Sequence, residues 1–293
     1  ARDAPAGRRP YPLFSESRTI MTQTLPRRYW QDMISREFRE LPGNTVAILP
    51  VGAIEQHGPH LPVSVDSCIN AGLLERALER APADLPITAL PIQAVGKSDE
   101  HIAYPGTLTL SATTLLNVLL DLGASVARAG VRRLVLLNSH GGQPQILDIV
   151  ARELRRTHNL FVVCVAWGRF GCPEGLFTPE ELKYGIHGGD VETSLMCYLR
   201  PDLVQMGRAE NFVSWPEEMA GEYKWLQAEG RVGFGWHAHD LHPAGACGDA
   251  SRASAEKGQL VAQQYITGFL ELMAEVARYP LERIRPATPD LGR

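Results

Sequence analysis

The stretch from Thr45 to Asp66 constrains the fold of this chain more than any other. It reads TVAILPVGAIEQHGPHLPVSVD and begins with an apolar run, Val46–Val51, which predicts a buried strand. The run breaks at Gly52 into a polar segment that carries acids and imidazoles. Open α/β sheets bind their ligands beyond the carboxyl ends of the strands. The stretch therefore predicts an α/β sheet with a ligand site at the end of this strand.

The polar segment has the composition of a metal site. Glu55 and His57 are two residues apart, so in an extended segment their side chains point to the same side. Asp66 follows a turn that contains Pro62 and could fold back towards them. Carboxylate and imidazole are groups that bind Zn²⁺ or Mn²⁺. A polar loop without a bound ion is the alternative, and this stretch alone leaves it open.

Strand and helix patterns alternate along the rest of the chain. Apolar runs predict strands at 46–51, 87–95, 134–137 and 160–166, although Pro91 is unusual inside the second of them. Periodicity and capping residues predict helices at 67–80, between the N-cap Ser111 and the C′ residue Gly130, at 144–157 and at 190–199. This alternation predicts one α/β domain with a parallel sheet and helices on both faces.

Polar side chains gather where the predicted strands end. His140 follows the third strand, and Glu100 and His101 follow the second. Glu192 lies in the first turn of a helix that we expect Asp190 to cap, where an acid also interacts favourably with the helix macrodipole. Each residue alone has a structural explanation of this kind. Four segments that all carry acids or imidazoles together indicate a functional site.

Composition limits the partners and the compartment. The net charge of −4 over 293 residues gives no basis for binding nucleic acid or a membrane surface, and no apolar run has transmembrane length. Five scattered cysteines without a C-x-x-C pair predict reduced thiols and a cytoplasmic protein. Residues 1–20 are rich in Arg and Pro and are expected to be a disordered leader or a tag-derived extension, so the domain is expected to span 21–293.

Four motifs closely resemble the creatininase (creatinine amidohydrolase) family: EQHGPHLPVSVD, NSHGG, YGIHGGDVETS and GDASRASAEKG. The similarity runs from about Arg27 to Leu270, with Ala250 in place of the family's proline in the last motif. The resemblance implies a three-layer α/β/α single domain with a mainly parallel sheet, a dinuclear metal site and a homohexamer. It also implies hydrolysis of an amide C–N bond outside peptides, in a small-molecule substrate.

The resemblance further implies roles for individual residues. Two divalent ions per chain, Zn²⁺ and/or Mn²⁺ with Fe²⁺ as a further option, would be bound by five ligands, of which Asp66 bridges: Glu55, His57, Asp66, His140 and Glu192. His187 corresponds to the family's substrate-side histidine, and His187 or Glu100 would donate the catalytic proton. The residues expected to contact the substrate are His101, Trp167, Gly141 and Gly142.

One motif departs from the creatinine-hydrolysing pattern. Members that hydrolyse creatinine carry His-Tyr-Glu after the third strand, and that glutamate binds metal. This chain has His140-Gly141-Gly142 there. Formamide hydrolases of flavin and deazaflavin biosynthesis share this His-Gly-Gly form, and in them the glutamate of the Glu-Thr-Ser motif takes the missing place. The expected substrate is therefore a small cyclic amide or a formamide rather than creatinine.

The implied ligand set predicts the chemistry. A hydroxide that bridges two ions ~3.5–4 Å apart attacks an amide carbonyl that one of the ions polarises. Two alternatives stay open: a peptide-trimming member, as in the mycofactocin maturation branch, and a non-enzymatic assembly subunit that keeps the fold. The long loop after Trp215, with its cluster His237, His239 and His242, is expected to close the active site or to contact another subunit.

Overall fold

A parallel four-stranded sheet forms the middle of the domain. The computed structural model describes residues 24–230 and 232–286. Its strands are β1 (Val46–Val51), β2 (Ile87–Ala89), β3 (Arg133–Asn138) and β4 (Phe161–Ala166), in the order β2-β1-β3-β4, and each neighbouring pair is parallel. β1 and β3 are fully buried because they lie in the middle of the sheet with helices over both faces. This burial explains why the first strand reads as a continuous apolar run.

Helices cover both faces of this sheet. They are α1 (Val65–Arg80), α2 (Ala112–Arg128), α3 (Pro144–His158), α4 (Pro179–Tyr184), α5 (Asp190–Leu199), α6 (Trp215–Glu218), α7 (Ala238–Leu241) and α8 (Ala255–Arg278). On one face α1, α5 and α8 pack against Ile48 and Leu137, and on the other α2 and α3 pack against Leu49 and Leu136. A short antiparallel pair, β5 (Asn211–Phe212) and β6 (Gly248–Asp249), lies outside the main sheet. The predicted three-layer α/β/α domain is confirmed.

β2 is shorter than its sequence predicts. The apolar run predicts a strand over 87–95, but the strand ends at Ala89. Pro91 has no backbone N–H to donate to a neighbouring strand, so the ladder is interrupted there. The chain nevertheless stays beside β1, because Gln93 N–H donates to Pro50 O at 2.9 Å and Gly52 N–H donates to Gln93 O at 3.0 Å. The segment after β2 is thereby held next to the end of β1.

Two of the three predicted helix caps are confirmed. Ser111 Oγ accepts a hydrogen bond from Thr114 N–H at 3.2 Å at the start of α2, and Gly130 follows the end of that helix with a φ of +89°. The prediction that Asp190 caps α5 is wrong, because Gly189 holds the N-cap position. The Asp190 side chain instead turns into the interface with α8.

The motif GDASRASAEKG joins α8 to α5. Lys257 Nζ lies 2.5 Å from Asp190 Oδ2, and Ser194 Oγ donates to Asp190 Oδ1 at 2.9 Å. Gly258 lies so close to the Ser194 carbonyl that a Cβ on this residue would overlap the oxygen atom. The motif therefore has a structural function, since it holds α5, which carries Glu192, against α8.

Replacing Gly258 by alanine is expected to lower the free energy of unfolding by about 1–3 kcal/mol, because α8 must move away from the Ser194 carbonyl. We expect this loss even though alanine favours a helix interior by ~1 kcal/mol over glycine. Gly207→Ala is the control, since a Cβ at Gly207 would have no neighbour within 4 Å. Urea unfolding measures both variants, and equal midpoints would contradict the close packing of α5 on α8.

Other features of the described ranges bear on the sequence predictions. Within those ranges, no helix is both long and apolar enough to span a membrane. All five cysteines lie in the described residues and are free. The predicted leader, residues 1–20, lies outside the described residues, so the extent of the domain over 21–293 stays a prediction.

Candidate metal centre

Several segments bring polar side chains together at the carboxyl edge of the sheet. Glu55 and His57 lie between β1 and α1, Asp66 is in the first turn of α1, His140 follows β3, and Glu192 is in the first turn of α5. The first four side chains are buried, and that of Glu192 is partly exposed. The structure thus brings the five candidate ligands into one cluster.

The donor atoms of this cluster are spaced as ligands of shared ions would be. His57 Nε2 lies 3.5 Å from Asp66 Oδ1 and 3.9 Å from Glu192 Oε2. His140 Nδ1 lies 3.2 Å from Glu55 Oε1 and 3.4 Å from Asp66 Oδ2. Two ligands of one tetrahedral ion with bonds of ~2.1 Å are ~3.4 Å apart, so both groups match this spacing. Asp66 presents one oxygen to each group, as a bridging carboxylate would.

The hydrogen bonds around the cluster also fit a cation. Among the described residues, His57 Nε2 and Asp66 Oδ2 are buried without a hydrogen-bond partner, whereas buried polar atoms are normally paired. His57 Nδ1 lies 3.0 Å from the carbonyl oxygen of Glu55, so in the neutral ring this nitrogen carries the proton and the lone pair on Nε2 faces the cluster. Imidazole nitrogen and carboxylate oxygen together suit Zn²⁺, Mn²⁺ or Fe²⁺.

Protons on the imidazoles balance the charge of the carboxylates. Burial lowers the pKa of His57, but the Asp66 carboxylate and the other acids around it outweigh burial and raise this pKa to about 9. Burial also lowers the pKa of His140, yet Glu55 and the other acids raise it well above its ordinary value. Burial raises the pKa of Asp66, but both imidazoles hold it below its usual range. Divalent ions that bind here would have to displace these protons.

His187 stacks between two other imidazoles and faces the cluster with a lone pair. Its ring centroid is 4.0 Å from that of His57 and 4.1 Å from that of His101. Its Nε2 donates to the Gln56 carbonyl at 2.7 Å, so Nδ1, which is 3.7 Å from Glu55 Oε1, has no proton when the ring is neutral. Burial lowers the pKa of His187 well below its ordinary value, which keeps the ring neutral.

Gln56 determines which nitrogen of His101 carries the proton. Gln56 Oε1 accepts from Gly58 N–H at 2.9 Å, so Nε2 is the donor to Gly245 O and to His101 Nδ1, both at 2.8 Å. His101 therefore presents Nε2–H towards the cluster, 3.8 Å from Glu55 Oε1. The sequence analysis gives Gln56 no role in the site, and its position between two candidate ligands is the only signal that could have pointed to it.

Ser98 and Glu181 are further residues that the sequence analysis misses. Ser98 Oγ donates to Glu55 Oε2 at 2.5 Å, which leaves Oε1 of this carboxylate for the cluster. Glu181 is buried and accepts from the backbone N–H groups of Val191 and Asp249 at 3.3 and 2.9 Å, so it holds the turn before α5 in place. Ser98 lies in a polar stretch after β2, but no local pattern distinguishes Glu181 from a surface acid of α4.

Trp167 lies away from the cluster, contrary to the prediction that it lines the substrate pocket. Its ring is buried 5.0 Å from that of Phe269, and its Nε1 donates to Asn70 Oδ1 at 3.1 Å. The side chain points to the face of the sheet that α1 and α8 cover, so it joins the core. Trp236 is the tryptophan near the site, with its ring edge-on to that of His101 at 6.5 Å.

The other histidines stay outside the cluster. His60 Nε2 is hydrogen-bonded to Thr193 Oγ1 at 2.8 Å, and its ring stacks on Phe212. In the described part of the chain, the groups of three or more potential metal ligands do not include His60. They do not include the loop histidines His237, His239 and His242 either. His60 thus connects the metal-site loop to α5, as a structural residue does.

A cleft of about 140 Å³ lies between α4, α6 and the loop that follows α6. Aromatic and apolar residues of the loop between α6 and α7 line much of it, and it reaches Glu229. Glu229 Oε1 lies 4.0 Å from the place that a Cβ on Gly141 would take, and the role of Gly141 as a substrate contact stays a prediction. The space beside Gly142 is instead filled by the Glu100 carboxylate, which argues against direct substrate contact at Gly142.

Comparison with known proteins agrees with this architecture. The Creatininase family model, described as creatinine amidohydrolase, matches residues 31–273. The chain is 32% identical to the creatinine amidohydrolase of Pseudomonas putida over 251 residues, which is 82% of this chain and 92% of that protein. It is 28% identical to the mycofactocin precursor peptide peptidase of Mycolicibacterium smegmatis over 225 residues, 76% of this chain and 82% of that protein. A solved structure named Creatininase Mn has a TM-score of 0.69 and 27% identity, and the match covers 86% of this chain and 99% of that one. The predicted creatininase-family hydrolase is confirmed, and the chain belongs to the creatininase family.

Proposed function

We propose that this chain is a metal-dependent hydrolase that cleaves the C–N bond of a small cyclic amide or a formamide. One observation carries the proposal. The two oxygens of Asp66 lie between the imidazoles of His57 and His140, and two atoms there, His57 Nε2 and Asp66 Oδ2, lack hydrogen-bond partners among the described residues. The similarity to a creatinine amidohydrolase and to a structure named Creatininase Mn supports it.

Two divalent ions per chain, Zn²⁺ and/or Mn²⁺ or Fe²⁺, would be held by Glu55, His57, Asp66, His140 and Glu192. When bound, such ions polarise a carbonyl group and lower the pKa of a shared water towards neutrality. The protein orients the donors for them. Ser98 turns one oxygen of Glu55 away from the cluster, and the Glu55 carbonyl sets the tautomer of His57.

His187 and His101 have complementary proposed roles towards the substrate. The lone pair on His187 Nδ1 faces the cluster, so this atom can take a proton from the attacking water and pass it to the leaving nitrogen. His101 presents Nε2–H to the same space, so it can donate a hydrogen bond to the substrate oxygen as negative charge develops there. Their stacked rings form one wall of the site.

A peptide-trimming activity is the second candidate. The similarity to a mycofactocin precursor peptide peptidase supports it, and so does the burial of Trp167 in the core, where this side chain does not close a substrate pocket. A non-enzymatic assembly subunit is less consistent with the site. Buried imidazole and carboxylate groups without partners cost stability, and a protein without a metal site gains nothing from them.

We further propose that the protein is a cytoplasmic homohexamer without a nucleic-acid or membrane partner. The free cysteines fit a reducing compartment. The loop between α6 and α7 carries Trp225, which is 69% exposed, and aromatic residues are enriched at protein interfaces. This loop is the proposed contact between subunits.

Metal analysis and a substrate panel test the proposed function. Plasma emission spectroscopy of protein reloaded with Zn²⁺ or Mn²⁺ is expected to find close to two ions per chain, and a chelator is expected to abolish activity until metal is restored. Because His57 must lose a proton with a pKa of about 9, metal affinity is expected to rise as the pH increases towards this value. Formamides, cyclic amides and short peptides form the panel.

Three results would change this assignment. Far less than one ion per chain after reloading would contradict the dinuclear site. Cleavage of peptides without hydrolysis of formamides or cyclic amides would establish the second candidate instead. A fully loaded protein that hydrolyses none of the three classes would contradict both enzymatic proposals.

A further inference from the structure

Glu100 approaches a different ring nitrogen of His140 from the one that Glu55 and Asp66 approach. Its Oε1 is 3.1 Å from His140 Nε2, whereas Glu55 and Asp66 approach His140 Nδ1 at 3.2 and 3.4 Å. The two nitrogens of an imidazole ring direct their bonds away from each other. Glu100 therefore does not share an ion with Glu55 and Asp66 through Nδ1. It contacts the other ring nitrogen.

Gly142 leaves the space that the Glu100 carboxylate fills. A Cβ added to Gly142 would overlap Glu100 Oε1 and would come within 2.5 Å of His140 Nε2. Every residue other than glycine at this position would therefore displace the carboxylate from the ring. The glycine at the third position of the His140-Gly141-Gly142 motif and the glutamate after β2 depend on each other, although they are far apart in the sequence.

We propose that Glu100 is a positioning residue for His140, and that Gly142 is required because it leaves room for this contact. The inference rests on the proposed function, because it assigns His140 to a metal ion. The Lys97 carbonyl accepts the Nε2–H of His140, and the Glu100 carboxylate lies 3.1 Å from the same nitrogen, so the lone pair is on Nδ1, the nitrogen that faces Glu55 and Asp66. Metal-binding histidines commonly direct their second N–H at a carboxylate or a backbone carbonyl, and the contact raises the basicity of the ligand.

The Lys97 carbonyl is the hydrogen-bond acceptor for this ring nitrogen, which limits the expected effect of losing Glu100. The Lys97 carbonyl oxygen lies 2.9 Å from His140 Nε2, and Lys97 Nζ lies 3.7 Å from Glu100 Oε2. The carbonyl alone can still hold the ring and its tautomer. The carboxylate adds the negative charge. Removal of that charge is therefore expected to weaken metal binding by roughly 10–100-fold rather than to abolish it.

This position changes the role expected of Glu100 in the reaction. A proton donor has to point at the substrate, but Glu100 Oε1 is directed at His140 Nε2. We therefore assign the movement of the proton to His187 and the support of the metal ligand to Glu100.

Glu100→Gln tests the contact, with Asp99→Asn as the matched control. Asp99 is the adjacent acid, lies 3.3 Å from the same Lys97 Nζ and is exposed, so its replacement removes an equal charge without touching His140. Competition with a chelator measures the Zn²⁺ dissociation constants, and the absorption spectrum of the Co²⁺-loaded protein reports ligand geometry. In Glu100→Gln we expect one of the two ions to bind roughly 10–100-fold more weakly and the Co²⁺ spectrum to change. The control is expected to match the wild type in both.

Gly142→Ala tests the requirement for space. It is expected to weaken the same ion as Glu100→Gln does, because the new Cβ displaces the intact carboxylate. In a Glu100→Ala background the overlap with the carboxylate is absent and only the close approach to His140 Nε2 remains, so adding Gly142→Ala is expected to cost less affinity than it does in the wild-type background. If Gly142→Ala weakens metal binding equally in both backgrounds, the space argument fails.

The outcomes separate this inference from the proposed function. A wild-type protein with two ions whose affinities and Co²⁺ spectrum are unchanged by Glu100→Gln overturns the positioning role and leaves the hydrolase proposal intact. A wild-type protein that binds no metal overturns the proposed function itself, and the inference with it.

Discussion

Asp66→Asn is expected to reduce kcat/KM well beyond the roughly 10–100-fold that changes behind a metal ligand typically cause. Among the described residues, Asp66 presents one carboxylate oxygen to each imidazole. Its Oδ1 lies 3.5 Å from His57 Nε2, and its Oδ2 lies 3.4 Å from His140 Nδ1. Asparagine has nearly the same shape, but it lacks the charge and replaces one of the oxygens with an amide nitrogen that cannot bind metal. We expect the metal content to fall from two ions per chain to one or fewer, with the fold retained.

Asp121→Asn is the control for this variant, because Asp121 is exposed on α2, away from the cluster. Kinetics, plasma emission spectroscopy and circular dichroism measured on both variants separate loss of metal from loss of fold. An Asp66→Asn protein that holds two ions and turns over at the wild-type rate would remove Asp66 from the bridging position.

The strands and helices that carry the site were predictable because their signals are local. β1 is a short apolar run that ends in polar residues, and α2 has both its N-cap serine and its C′ glycine. The end of β2 was less predictable, because it depends on whether the chain beyond Pro91 still pairs with β1. α8, which has 24 residues, was not predicted from the sequence. Its buried face is defined by its packing against α1 and α5.

The candidate ligands were identifiable from their motifs, but their partners were not. The proton on His187 is placed by a carbonyl 131 residues away in the sequence, and that on His101 by an amide 45 residues away. The Glu100 carboxylate occupies its position because a residue on another loop is glycine. Trp167 and Trp236 illustrate the same limit, since composition alone cannot tell which tryptophan turns into the core and which stands near the site.

Glu192→Gln has the second large effect that we expect. The Glu192 carboxylate lies 3.9 Å from His57 Nε2 and accepts the Gly188 N–H at 2.6 Å. Glutamine keeps an oxygen for that hydrogen bond but loses the charge. As a ligand variant it is expected to empty or weaken one metal site and to lower kcat/KM by several orders of magnitude. The competing account makes Glu192 an acid that only stabilises the helix macrodipole, worth about 0.3–1 kcal/mol, and it predicts nearly unchanged metal content and rate.

The two accounts predict opposite changes in the stability of the metal-free protein when Glu192 is replaced by glutamine. Burial raises the pKa of Glu192 from 4.5 to about 7, so its ionisation costs stability once the pH passes 4.5, and this cost is complete above about 7. Metal-free Glu192→Gln is therefore expected to be more stable than the metal-free wild type above neutral pH, although it binds metal more weakly. Loss of a helix-dipole contact would make it less stable instead.

Glu256→Gln is the control, because Glu256 is an exposed first-turn acid of α8. Thermal unfolding in the presence of a chelator compares the three proteins. A Glu192→Gln variant that is destabilised as the control is would identify Glu192 as a helix-stabilising acid, whereas a variant that is stabilised above neutral pH would identify a carboxylate whose charge costs stability until a cation binds.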